Sequence, residues 1–178
     1  MDKSPGIRPI GVGEVLRRIV GKTVAGFLKE EIKEAAGPLQ VCAGSEAAIH
    51  AMSQVFAEEG TDGVLPINTS NAFNQMDRSV ALNNIQITRK EMSHYIINTY
   101  RSPSRLFICG GGEILSQEGT TRGDPLAMPW HSVNTSVMIK SLRISTPGVK
   151  QVWLEDDSAV SSSCKKYFCC VGKMSGKI

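Results

Sequence analysis

The sequence has no run of eighteen or more apolar residues, which removes a membrane-spanning helix from the expected elements. Its start, Met1-Asp2-Lys3-Ser4-Pro5, lacks the charged opening and apolar stretch of a signal peptide. A soluble, intracellular chain of nucleus or cytoplasm, away from membranes, is the expectation. Cysteine is sparse and odd in number: Cys42, Cys109, Cys164, Cys169 and Cys170 make no Cys-x-x-Cys pair. Reduced thiols follow from that scatter. His50, His94 and His131 are too dispersed for a zinc-ligand spacing. Repeats and low-complexity tracts are absent. Strong charge is missing too, since a net +3 permits a polyanionic partner without demanding one. The basic clumps at Arg17-Arg18 with Lys22, Arg101 with Arg105, and Lys165-Lys166 with Lys173 and Lys177 each read first as a solvated face.

What remains is one domain's worth of chain, 178 residues at 41% hydrophobic content. Apolar residues at helical spacing predict a helix from Glu14 to Ala36, stopped by Gly37-Pro38, and a second from Ser45 to Gly60. Gly63-Val64-Leu65-Pro66-Ile67 reads as a short buried strand. Arg78 to Ile85 and Arg89 to Tyr100 read as two more helices. Arg105 to Cys109 and Glu113 to Leu115 flank Gly110-Gly111-Gly112, a hairpin signal, because glycine supplies the positive φ such turns need. A phosphate-binding loop competes poorly there, as no Lys-Ser/Thr pair or helix start follows. Asp124 to Leu142 is expected as a helix, with Pro125 at its first position and Pro129 kinking it or delaying its start. Val149 to Leu154 is a strand, and the tail from Ser161 is too short to place.

That last strand breaks into Glu155-Asp156-Asp157. Adjacent acids along a strand point to opposite faces, so only a turn can re-aim them to work together. Magnesium suits such a turn: it takes carboxylate oxygens, keeps waters and binds substrate phosphates through the rest. A solvated acidic turn is the plain alternative.

Four segments in order resemble the reverse transcriptase domain of non-LTR (LINE-type) retrotransposons over nearly the whole chain. Gly6-Ile7-Arg8-Pro9-Ile10 is similar to the fingers segment whose arginine meets the incoming triphosphate. Val64 to Phe73 resembles the strand and turn that carry the first catalytic aspartate, followed five residues later by an aromatic that blocks a ribose 2′-hydroxyl. Glu118-Gly119-Thr120-Thr121-Arg122-Gly123-Asp124-Pro125-Leu126 resembles the Gln-Gly-x-Pro-Leu segment near the templating base and sugar. Glu155-Asp156-Asp157 resembles the Ala-Asp-Asp hairpin.

The resemblance implies an α+β polymerase palm, an antiparallel sheet backed by helices, with partial fingers (1–40), palm (41–162), a truncated palm end (163–178) and no thumb. It implies an RNA template, a DNA primer, dNTP and two Mg2+ ions held by Asp156 and Asp157. Catalytic positions are then Asp156, Asp157 and Asn68, and nucleotide contacts fall to Arg8, Phe73, Arg122 and Gly123.

Several residues depart from that pattern. Asn68 stands where the first catalytic aspartate belongs, and an amide oxygen brings no negative charge to a metal pair. Pro66 removes a ladder donor from an expected central strand, Arg122 replaces the family's glutamine, and Glu155 adds an acid. An RNA-directed DNA polymerase fragment with impaired catalysis is the resulting expectation. A non-catalytic nucleic-acid-binding remnant is the alternative, and a decayed copy that folds poorly a third. The polymerase reading also expects Val64–Ile67 and Val149–Leu154 to be adjacent strands, so that position 68 lies beside Asp156.

Overall fold

The computed structural model describes residues 11–36, 45–59, 61–69, 71–121, 123–154 and 157–162. They divide into two compact units, each drawn from two stretches of chain: 11–28 with 71–130, and 29–70 with 131–162.

The first unit holds α1 (Val15–Phe27), α4 (Ala72–Gln75), α5 (Arg78–Thr88), α6 (Lys90–Tyr100) and a hairpin of β2 (Ser104–Ile108) with β3 (Gly112–Ser116), together with the first turn of α7 (Ala127–Ser145). Asp77 starts α5 by accepting hydrogen bonds from the Ser79 and Val80 backbone N–H groups at 2.9 and 3.1 Å, satisfying donors that a helix start leaves open. The core is apolar at the expected spacing: Ala81 and Ile85 of α5 are buried, as are Met92, Ile96 and Tyr100 of α6, with Leu126 and Trp130. Each such large side chain contributes roughly 1.5–3 kcal/mol on burial. Tyr100 and Trp130 stack at 4.8 Å between ring centroids, and the Trp130 indole N–H donates to the Ala81 carbonyl at 3.3 Å. The hairpin turns through Gly110 and Gly111 at φ +104° and +98°, as the glycine triplet predicts.

The second unit holds α2 (Lys29–Ala36), α3 (Ser45–Phe56), most of α7 and a sheet of β1 (Gly63–Asn68), β5 (Asp157–Ser162) and β4 (Lys150–Leu154), in the order β1-β5-β4. Ile139 and Leu142 of α7 pack against Val149, Trp153 and Val160, joined by Leu65 and Ile67 from β1. Gln151 is buried among them, and its amide is satisfied: its Nε2 donates to Thr146 Oγ1 at 3.4 Å, and Trp153 Nε1 donates to its Oε1 at 3.2 Å. Beside α3 lies a cavity of about 540 Å³ lined by Ile49, Met52, Phe56, Val64, Val152 and Leu154, among others.

Four expectations need correction. The strands at 64–67 and 149–154 are not neighbours, because β5 lies between them and pairs antiparallel with both. The reason is local. Asp157 is the register partner of Leu154, so the six residues from Asp157, read from sequence as a turn and tail, run back along β4 and take the ladder positions. Pro66 therefore sits on an edge strand among the described residues, where a missing N–H is tolerated. The expected helix from Glu14 to Ala36 is two, broken at Leu28, with an apolar period that runs through the break and hides it. Finally, α7 starts at Ala127 rather than Asp124. The Asp124 carboxylate instead accepts from the Leu126 N–H at 2.8 Å, and Pro129 occupies the first helical turn, where its absent N–H has no intrahelical partner to lose.

Candidate functional site

Pairing within the sheet places some of the expected site residues, all in the second unit. In the β1–β5 ladder Asn68 is the register partner of Asp157, and in the β5–β4 ladder Asp157 is the partner of Leu154. Directly opposed Cα atoms in an antiparallel pair lie about 4.5–5.5 Å apart. Position 68 thus lies one strand from the acidic turn, brought there by β5 and not by β4. For Asn68 and Asp157 the structure describes the backbone. Asp156 lies outside the described residues, as do Arg8 and Arg122. Among the described residues no three His, Cys, Asp or Glu side chains gather as a metal-binding group.

Phe73 and Gly123, two of the expected nucleotide contacts, belong to the first unit. Asn71 enters the left-handed region at φ 51°, which turns the chain sharply into α4 and buries Phe73 at 9% exposure. Its backbone is gripped from the segment that follows β3. The Thr120 N–H donates to the Phe73 carbonyl at 2.6 Å, and the Gly119 N–H donates to the Met76 carbonyl at 2.8 Å. Gly119 is required at this approach: with φ +56°, a Cβ there would lie 2.0 Å from the Phe73 carbonyl oxygen. Gly123 turns at φ +108° just before Asp124. The Phe73–Met76 turn and the Gly119–Thr120 pair are therefore joined through main-chain hydrogen bonds, although they are far apart in sequence.

Charged groups surround this junction: Arg17, whose clump reads from sequence as a solvated face, and Arg78, which the sequence does not single out. Arg17 of α1 pairs with the buried Asp124 carboxylate at 3.8 Å and lies 5.8 Å from the centre of the Tyr100 ring. Burial, reinforced by the Asp124 charge, pushes the Tyr100 phenol well above its usual range, and the same two causes raise that of Tyr95. Arg78, at the first position of α5, is 8% exposed, and burial works against its charge. Nothing in its local sequence distinguishes it from a surface arginine at a helix start.

No protein-family model and no curated protein sequence matches the chain. Solved structures do. Telomerase from Candida albicans in complex with a TWJ fragment of telomeric RNA superposes with a TM-score of 0.59 at 14% identity, covering 93% of this chain and 33% of that one. Apo telomerase from Candida tropicalis, truncated from its C-terminal domain, gives 0.55 at 16% identity, covering 90% and 36%. The Candida tropicalis enzyme with a TWJ fragment of telomeric RNA gives 0.55 at 14%, covering 89% and 30%. The chain spans about a third of the length of these proteins. At such identities what is shared is the fold. The chain has a mixed α/β fold similar to that of these telomerase structures, with small antiparallel sheets.

Proposed function

We propose that this chain is a reverse-transcriptase domain of the non-LTR retrotransposon type, which binds an RNA template with a DNA primer and carries an impaired nucleotidyl-transfer site. The observation that supports it most is the pairing of Asn68 with Asp157 inside a fold shared with telomerase. In this reading the family's carboxylate hairpin and position 68 belong to the same end of the three-stranded sheet, where β1 and β5 put the backbones of Asn68 and Asp157 in register. In this reading the sheet with α7 and α3 is the palm. Arg8 meets the triphosphate, Phe73 guards the sugar 2′ position, and Arg122 with Gly123 lines the templating base.

The donor set decides how far the chemistry goes. Asp156 and Asp157 fit one hard cation through oxygen ligands, whereas an amide at position 68 lends an oxygen without the charge to bridge a second. Magnesium, when bound in such a site, stabilises the attacking and leaving oxygens of the in-line displacement. Losing a bridging carboxylate costs several kcal/mol of that stabilisation, and each 1.36 kcal/mol is tenfold in rate.

Primer extension with purified protein, its folding verified by circular dichroism, tests this reading. The parent chain is expected to show no measurable extension, and Asn68→Asp to gain magnesium-dependent extension that Asp156→Ala removes again. Robust extension by the parent would show that position 68 is not catalytic. The uncharged Asn68 also favours a second reading, a nucleic-acid-binding remnant. Binding that persists in Asn68→Asp without any extension would select it.

A further inference from the structure

Arg78 is a buried cation that no described carboxylate holds by a hydrogen bond or ion pair, and its donors all converge on one short stretch of chain. Its Nε donates to the Gly119 carbonyl at 3.0 Å, Nη1 to the Ser116 carbonyl at 2.9 Å, and Nη2 to Ser116 Oγ at 3.1 Å and the Glu118 carbonyl at 2.8 Å. Its guanidinium lies 5.3 Å from the centre of the Tyr100 ring. Three carbonyl oxygens gathered within four residues form a concentrated negative pole. A planar fork with five donors can span them, and a lysine ammonium, a compact point charge, cannot. What Arg78 holds is the same segment that grips Phe73: Gly119 against the Phe73–Asn74 backbone, and Thr120 on the Phe73 carbonyl.

We propose that Arg78 is a positioning residue: by tying Ser116, Glu118 and Gly119 to the start of α5, it fixes the 119–121 lip against the Phe73 turn and so sets how closely the site fits a nucleotide sugar. The sugar-fitting role rests on the reading of Phe73 and Gly123 given above; the latch itself does not. Nothing else among the described groups supplies a comparable set of donors to these carbonyls. Without the fork, the lip keeps its two main-chain hydrogen bonds to the Phe73 turn and two longer contacts at 3.4 Å, from Thr120 Oγ1 to the Phe73 carbonyl and from the Thr121 N–H to the Tyr100 hydroxyl, and both the lip and the Phe73 backbone gain freedom.

Two measurements on the full chain separate the latch from the reading it rests on. In hydrogen exchange, Arg78→Lys should speed exchange of the Gly119 and Thr120 amides by about tenfold or more, while the Leu65 and Val160 amides stay as slow as in the parent. Unchanged protection at 119 and 120, or an equal loss throughout 71–130, overturns the proposal, the latter because Arg78 would then be an ordinary core residue. In the second, fluorescent dATP and ATP are titrated onto the protein with primer-template and magnesium. The parent should favour the deoxynucleotide, and Arg78→Lys and Phe73→Ala should each bring the ratio to within about twofold of unity, with no further change in the double variant. Retained discrimination in Arg78→Lys with loosened amides refutes the sugar-fitting role. A parent that binds neither nucleotide or shows no preference refutes the reading of Phe73, while the exchange experiment still decides the latch.

Discussion

Replacing Gly119 by alanine should be among the most damaging single substitutions in the first unit. The new Cβ would meet the Phe73 carbonyl oxygen at 2.0 Å, the Asn74 carbonyl carbon at 2.5 Å and the Asn74 Cα at 2.6 Å, where ordinary contact begins near 3.4 Å. All three are main-chain atoms, so no side-chain rotation relieves the overlap, and the two segments must part by more than an ångström. That separation removes the hydrogen bonds from Thr120 to Phe73 at 2.6 Å and from Gly119 to Met76 at 2.8 Å, each contributing about 1 kcal/mol. The left-handed backbone at φ +56° costs a non-glycine residue about 1–2 kcal/mol besides. A loss of about 3–4 kcal/mol follows. Trp130, buried against Tyr100 in the same unit, reports it by fluorescence once Trp153→Phe has silenced the other tryptophan. With a urea slope of about 2 kcal/mol/M, the midpoint should fall by about 1.5–2 M, or the unit should be unfolded from the start. Gly119→Asn should fare as badly, although asparagine tolerates the left-handed region, because the clash outweighs the torsion. A midpoint shift below about 0.5 M in either variant would refute the close approach.

Binding to a primer-template duplex should be weak and chiefly electrostatic, as a net charge of +3 implies, with affinity falling steeply as salt is added and differing little between sequences; tight, salt-insensitive binding in a filter or anisotropy assay would contradict it. Pro66→Leu should change stability by no more than about 0.5 kcal/mol in urea denaturation, since proline is tolerated on an edge strand. The Asp77 carboxyl titrates below its usual value because the Ser79 side chain and then the Val80 N–H donate to its charged form. Its support of α5 is therefore complete above the ordinary carboxylate range and fades as pH falls through that lowered value. An NMR titration of the Ser79 and Val80 amides should follow this midpoint, and Asp77→Asn should abolish the step.

Much of this architecture is carried by local chemistry and could be read from the chain alone. Apolar spacing marks α5 and α6, and Gly110-Gly111-Gly112 marks the β2–β3 hairpin because only glycine adopts those positive φ angles without strain. The apolar runs ending at Asn68 and at Leu154 mark β1 and β4, and the order of four short motifs points to the fold that telomerase shares. Partnership between distant segments is different, because it depends on which surfaces meet. β5 was hidden because Asp157 to Ser162, rich in serine with Val160 its one large apolar residue, carries no alternation strong enough to announce a strand. It becomes one only because β1 and β4 offer ladders on both sides. Arg78 resembles any arginine at a helix start until folding brings three carbonyls within its reach. The sequence by itself therefore determined which residues could form helices, turns and an acidic hairpin. Tertiary structure alone decided that Asn68 pairs with Asp157 in the β1–β5 ladder and that a buried cation stands behind the Phe73 turn, because backbone pairing and charge burial are settled between segments and not within them.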